Sequence, residues 1–157
     1  MESCIRRPAK PISIVRYKEI DFSQLSILEH EFENCTFENC HFVKANLTAV
    51  AFMDCKFINC DFVIPNMTNT GIKTSDFRGC KLMAVDFSNC SNFMFSPNFQ
   101  DCMINSCNFE GNKMANTQFF YCKVKETSFY YCDLSESSFD NTEFQNTTFQ
   151  DCNLMKS

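Results

Sequence analysis

Written in fives, residues 30–44 read HEFEN CTFEN CHFVK, and residues 55–64 read CKFIN CDFVI. The third residue of each block is apolar, and the rule extends in both directions. From Phe22 to Phe87 every fifth residue is Phe, Ile, Leu or Met. After a break the series resumes at Phe99 and runs by fives to Leu154. Sixteen of the 19 Phe sit on these centres, far more than one phase in five captures by chance. Two residues before each centre lies a second pattern. Cys35, Cys40, Cys55, Cys60, Cys80, Cys90, Cys102, Cys107, Cys122, Cys132 and Cys152 all occupy that slot, and Cys4 alone lies outside it. Most other occupants are small, such as Ala45, Ser75, Val85, Thr117 and Ser137.

A helix turns about 100° per residue, so a five-residue step smears the apolar residue over every face. In a straight strand an odd step sends successive Phe to opposite faces. The chain must therefore turn once per block. Within a block, residues two apart point the same way, so the slot and the centre both face inward. The remaining three, mostly Asn, Asp, Glu, Gln, Ser, Thr and Lys, face out. The reading is an all-β solenoid whose coils stack at about 4.8 Å.

Composition agrees with a packed repeat protein. Apolar residues make up 45% and charged residues 21% of 157, which excludes a disordered chain. The net charge of −5 is uneven. Residues 1–18 carry a net +4, the remainder carries −9, and residues 126–155 hold six acids and no base. Phosphate affinity rests on Lys and Arg releasing counterions, so no direct nucleic-acid binding is expected, and a basic partner fits better. No apolar run is long enough for a membrane span or for a convincing signal peptide, which places the protein in the cytoplasm with reduced thiols.

The run of A/C-x-F/L-x-x blocks over residues 22–154, 133 of 157 residues, resembles the pentapeptide-repeat family. That resemblance implies a right-handed quadrilateral parallel β-helix with four blocks per coil. Twenty-six blocks then make about six and a half coils and a rod roughly 30 Å long. Residues 1–21 read as an N-terminal cap segment, and 22–157 as the β-helix with an interruption at 88–98.

Between Phe87 and Phe99 lie two residues more than two blocks need. Pro97 donates no ladder hydrogen bond, and Phe93 and Phe95 fall outside the repeat phase. The bland reading is an insertion tolerated at a corner. The functional reading is a partner-binding loop of Ser91, Asn92, Phe93, Met94, Phe95, Ser96 and Pro97 on a rigid scaffold, with one Phe tucked inward and the other presented. The segment DFSNCSNFMFSPNFQDCMINSCNFEGNKM, residues 86–114, is similar to the quinolone-resistance (Qnr) branch of the family. The resemblance implies a cytoplasmic dimer that binds DNA gyrase and topoisomerase IV and protects them from quinolones, with projecting loops that matter for this. The insertion here is shorter than that branch's large loop, and residues 44–66 show no counterpart of its smaller one. The branch also closes its C-terminus with a dimer-forming helix. Here the sequence reaches Leu154-Met155-Lys156-Ser157 without one, so either the chain is truncated or its open end pairs with a second copy, a homodimer.

Some family members are thought to imitate duplex DNA. With twenty-residue coils, Glu33 lies under Met53 and Lys73, Asp61 between His41 and Lys81, and Glu143 above Lys123. The acids form no single stripe, so shape and loop contacts rank ahead of charge mimicry.

Enzymatic chemistry finds no motif. The commonest Cys spacing is CxxxxC rather than the CxxC of zinc sites, and stacked pairs such as Cys35 and Cys55 read as small buried hydrophobes. His41 is expected to face solvent and His30 to fill an inward slot, neither beside a nucleophile. Gly71, Gly79 and Gly111 form no phosphate loop. Phe120 and Tyr121 lie on the wall opposite Tyr130 and Tyr131. The expectation is a non-enzymatic protein without cofactor or metal; the alternative to topoisomerase binding is a general interaction scaffold.

Overall fold

The structure, a computed structural model, describes residues 10–157. Short parallel strands, most of three residues, pair with strands one coil away and in register. Phe32 pairs with Phe52 and Phe52 with Ile72, a repeat of twenty residues. Four blocks therefore close one coil, and about seven coils stack into a four-walled parallel β-helix. Wall 1 starts at Ile12 and Phe32, wall 2 at Tyr17 and Phe37, wall 3 at Phe22 and Phe42, and wall 4 at Ile27 and Leu47. The ladder already includes Ile12 and Tyr17, which pair with Phe32 and Phe37, so residues 10–21 of the expected cap segment continue the coil. Residues 1–9 of that segment, with Cys4, lie outside the described residues.

The centres fill the tube. Phe32, Phe37, Phe52, Phe57, Phe77, Phe99, Phe109, Phe119 and Phe129 are at most 2% exposed. Identical coil spacing stacks rings along each wall: Phe37, Phe57, Phe77, Phe99 and Phe119 follow one another at 4.7–5.3 Å between centroids. Rings on adjacent walls meet edge to face, as Phe52 and Phe57 do at 5.1 Å and 79°. Both geometries suit the aromatic quadrupole.

Each block ends in a corner. Twenty-four non-glycine residues hold φ between 49° and 64°, and all lie two residues after a centre. That left-handed turn redirects the chain onto the next wall. Asn and Asp tolerate it best after Gly, and seven Asn and three Asp fill these corners.

Two of the histidine and cysteine expectations change. His41 is exposed and bonds the Asp61 carboxylate through Nδ1 at 3.0 Å. His30 is also exposed, contrary to the inward-slot reading, because the slot residue one coil below, Lys10, is itself exposed and leaves that end of the column open. Ten of the eleven described Cys are buried, and all eleven are free thiols. They do more than fill space. The thiols of Cys55, Cys60, Cys80 and Cys132 donate to the carbonyls of Phe32, Phe37, Phe57 and Phe109, 23 residues earlier, at 2.7–3.4 Å. Thr70 and Ser137 do the same with hydroxyls. Cys, Ser and Thr in the slot add a second donor to a carbonyl that a backbone N–H already pairs, as the Val50 N–H does for Leu47, while Ala45, Val50 and Val85 fill the slot by packing alone.

Candidate functional site

The interruption interrupts wall 1. Cys90 still occupies its slot, and Phe99 pairs with Phe77, so the shift from twenty to twenty-two residues is absorbed between them. One short 3-10 turn, Phe87–Asn89, precedes the shift, and a second, Asn92–Met94, takes up the slack together with the register shift between Phe95 and Pro97. The Asp86 carboxylate caps the first by accepting the Ser88 N–H at 3.1 Å.

The seven residues read as one loop divide into three roles. Phe95 and Pro97 are buried; Phe95 pairs with Ile72 across a register shift that separates it from Pro97, and it meets Phe87 edge to face at 5.8 Å. Ser91, Asn92 and Ser96 tie the segment down. The Ser91 N–H donates to the Thr70 carbonyl at 2.9 Å, and the Ser96 hydroxyl accepts the Thr74 N–H at 2.7 Å. Phe93 is 96% exposed, the most exposed large hydrophobe of the described chain. The expected split of one Phe inward and one outward is thus Phe95 in and Phe93 out. Met94 lies over Gly71: a Cβ there would come within 2.4 Å of the Met94 methyl, so glycine makes the seat for the turn.

Sequence reasoning missed the internal anchor. Asn112 fills a slot that is Cys in the next two coils, and it is wholly buried. Its amide donates to the Phe87 carbonyl at 3.0 Å and to the Asn92 side chain at 3.4 Å. The anomaly of an amide in a thiol slot was the available signal.

A second feature belongs to the neighbouring wall. Wall 4 consists of residues 25–29, 45–49, 65–69, 85–89, 107–111, 127–131 and 147–151. It holds Glu29, Asp86, Glu110 and Asp151 and not one Lys or Arg. Walls 1, 2 and 3 carry four bases each against five, five and four acids. The acids of wall 4 lie in three columns, with only Glu29 and Asp151 sharing one, at opposite ends of the rod, so they make no stripe, and the wall contributes no Lys or Arg of its own. Exposed Phe93 projects from the wall 1 insertion, four residues past Asn89 where this wall ends, and exposed Tyr131 lies in the corner column of wall 4 farther along the rod. The arrangement offers a flat anionic wall beside a projecting aromatic ring. Among the described residues no group of three or more His, Cys, Asp or Glu is placed to hold a metal, and no helix is long and apolar enough to cross a membrane.

Comparison with known proteins adds the following. The description "Pentapeptide repeat region" matches residues 30–94, and "Pentapeptide repeats (8 copies)" matches residues 117–155, together about two thirds of the chain. No curated protein matches. Among solved structures, full-length QnrB1, a plasmid-mediated fluoroquinolone resistance protein, is 14% identical with a TM-score of 0.43, covering 84% of this chain and 92% of that one. A trypsin-treated QnrB1 variant is 18% identical with a TM-score of 0.40, covering 92% and 90%. HetL, a pentapeptide repeat protein involved in heterocyst differentiation regulation in the cyanobacterium Nostoc, is 11% identical with a TM-score of 0.35, covering 92% and 91%.

Proposed function

Since the chain belongs to the pentapeptide-repeat family, we propose that it is a non-enzymatic scaffold that binds a type II topoisomerase, DNA gyrase or topoisomerase IV, and protects it from quinolones. The repeat-protein scaffold follows from the family and the fold; the topoisomerase is the finer reading. One observation carries it: wall 4 has four acids and no base along its whole length, with Phe93 projecting at its edge. An enzyme that grips DNA presents a basic surface, and such a surface is drawn to an anionic rod. The similarity of residues 86–114 to the quinolone-resistance branch supports the same partner and gives the insertion its role. Wall 4 supplies approach and register, while Phe93, on a segment held by Met94, Ser91 and Asn112, supplies an exposed aromatic ring for the partner to bury, an anchor of the kind that dominates interface energetics.

The test is a supercoiling and cleavage assay with purified gyrase and a fluoroquinolone. Added protein should reduce quinolone-stabilised cleavage. Phe93→Ala should weaken this protection at least tenfold, whereas Tyr121→Ala, on a far corner, leaves it intact. Supercoiling and drug poisoning that stay unchanged at saturating protein reject the topoisomerase reading and leave a scaffold with another partner.

A further inference from the structure

The inward slots are not filled alike on the four walls. On wall 4 they include Ala45, Pro65, Val85 and Thr127, and on wall 2 Ser75, Pro97 and Thr117. Several small residues therefore satisfy the slot. On wall 3 it is cysteine in five successive coils: Cys40, Cys60, Cys80, Cys102 and Cys122. The residues that follow these thiols pair in register from coil to coil, and the Lys123 N–H donates to the Cys102 carbonyl at 2.9 Å. The five thiols form one unbroken column, each at most 2% exposed.

Cys102 stands apart within it. The Cys122 and Cys80 thiols, one coil after and one before, lie within reach to donate to a thiolate there, and they hold the Cys102 thiol below its ordinary range. No Lys or Arg is buried among the described residues, and the Phe77 carbonyl oxygen lies 3.3 Å from the Cys102 sulfur. An anion in that setting calls for a cation. Among the described residues no three ligands converge into the cage that zinc prefers. A line of thiols instead offers two ligands on opposite sides of a point between coils. Two metal–sulfur bonds of about 2.3 Å, end to end, reach about 4.6 Å, and coils repeat at about 4.8 Å. A disulfide needs Cβ atoms about 3.8 Å apart, which means drawing the coils together.

We propose that Cys102 and Cys122 bind a soft monovalent d10 cation, copper(I), as a linear dithiolate. One ion enters and forms two Cu–S bonds, every proton the two sulfurs still carry passes to solvent, and no electron is transferred. Cys122 is the partner because it adjoins the last full coil. The slot above it is half-buried Thr142, whose hydroxyl accepts the Cys122 N–H at 3.2 Å. Opening that coil alone uncovers the pair. The site shares no residue with the topoisomerase reading and does not depend on it.

The test titrates the folded chain with copper(I), without oxygen, against the coloured competitor bicinchoninate, and counts bound ions by native mass spectrometry. At one equivalent the chain should retain one copper(I). Cys102→Ser and Cys122→Ser should each weaken that retention at least tenfold. Cys107→Ser, in a slot column between Val85 and Thr127, should leave it within about twofold. Serine keeps a small donor in the slot, as Ser75 does, and circular dichroism checks that each variant keeps its fold. A chain that yields all its copper to bicinchoninate overturns the proposal. So does retention that either column substitution leaves unmoved. Loss with Cys152→Ser in their place also overturns it, since that puts the ion on the half-buried Cys152 and its neighbour Cys132.

Discussion

At the scale of single residues, the inward slot is a hydrogen-bonding position as much as a packing one. Cys80, 1% exposed, donates to the Phe57 carbonyl at 3.3 Å. Replacing it with Val removes one of two donors to that carbonyl, which the ladder also pairs, at a cost of about 0.5–1.5 kcal/mol, while Cys80→Thr keeps a donor and costs less. Urea denaturation of the two variants separates packing from donation, since packing alone predicts the reverse or no difference. The same thiols tie stability to pH. Burial pushes Cys55, Cys107 and Cys132 up from an ordinary 9.0 to about 12. In the unfolded chain they ionise near 9, and in the fold they stay protonated. The unfolded state then binds fewer protons, so stability is whole below about pH 9 and falls as pH rises toward 12. Denaturation midpoints should be flat from neutral pH to the mid-eights and decline steadily above; a midpoint that rises with alkali contradicts this. The corners add a third case. Ile14 sits at φ 60° and is 84% exposed, so it bears left-handed strain with little packing to lose. Ile14→Asn should raise stability by about 1 kcal/mol, read as a higher urea midpoint.

At the scale of elements, the insertion is a rigid projection rather than a slack loop. Phe95 and Pro97 are core, Met94 is seated on Gly71, and Asn112 reaches across from the next coil to Phe87 and Asn92. Asn112→Cys restores the donor found elsewhere in the slot and keeps the bond to the Phe87 carbonyl, but it drops the tie to Asn92. Global stability should change by less than about 1 kcal/mol, while amide exchange over residues 91–94 speeds up and protection of gyrase weakens. Equal exchange in the two proteins argues that Met94 on Gly71 is sufficient. The insertion itself was legible, because a two-residue phase slip and two out-of-phase Phe mark it. Its division of labour was not. Phe93 and Phe95 look alike in a linear pattern, and only the pairing of Phe95 with Ile72 decides which turns inward.

At the scale of the whole molecule, the rod is nearly one-dimensional, since every coil touches only its neighbours. Phe77 is 2% exposed and stacked between Phe57 at 4.7 Å and Phe99 at 5.3 Å. Phe77→Ala opens a void in the middle of the column and should cost about 3–5 kcal/mol. Phe149, already 36% exposed in the last coils, should cost about 1–2 kcal/mol when truncated. Comparable losses at the two sites, measured by urea denaturation, contradict a stability carried by stacked neighbours. Charge is a property of this scale too. The net value of −5 says little, whereas the gathering of four acids and no base on one wall gives the rod a distinct anionic side.

The period of five by itself determined what faces in and what faces out: the Phe centres and Cys slots are inside, the polar residues outside, and no local pattern other than one turn per block accommodates it. That much is local, since it depends on residues two and five apart. The partners that give those residues their roles are twenty to twenty-five residues away. The carbonyl that each thiol meets, the left-handed corners that bring four blocks into one coil, the exposed Phe93 over a buried Phe95, and the walls on which charges gather all follow from stacking one coil on the next. Only the closed tube brings those residues together, because strand pairing between coils, rather than proximity along the chain, sets which side chains are neighbours.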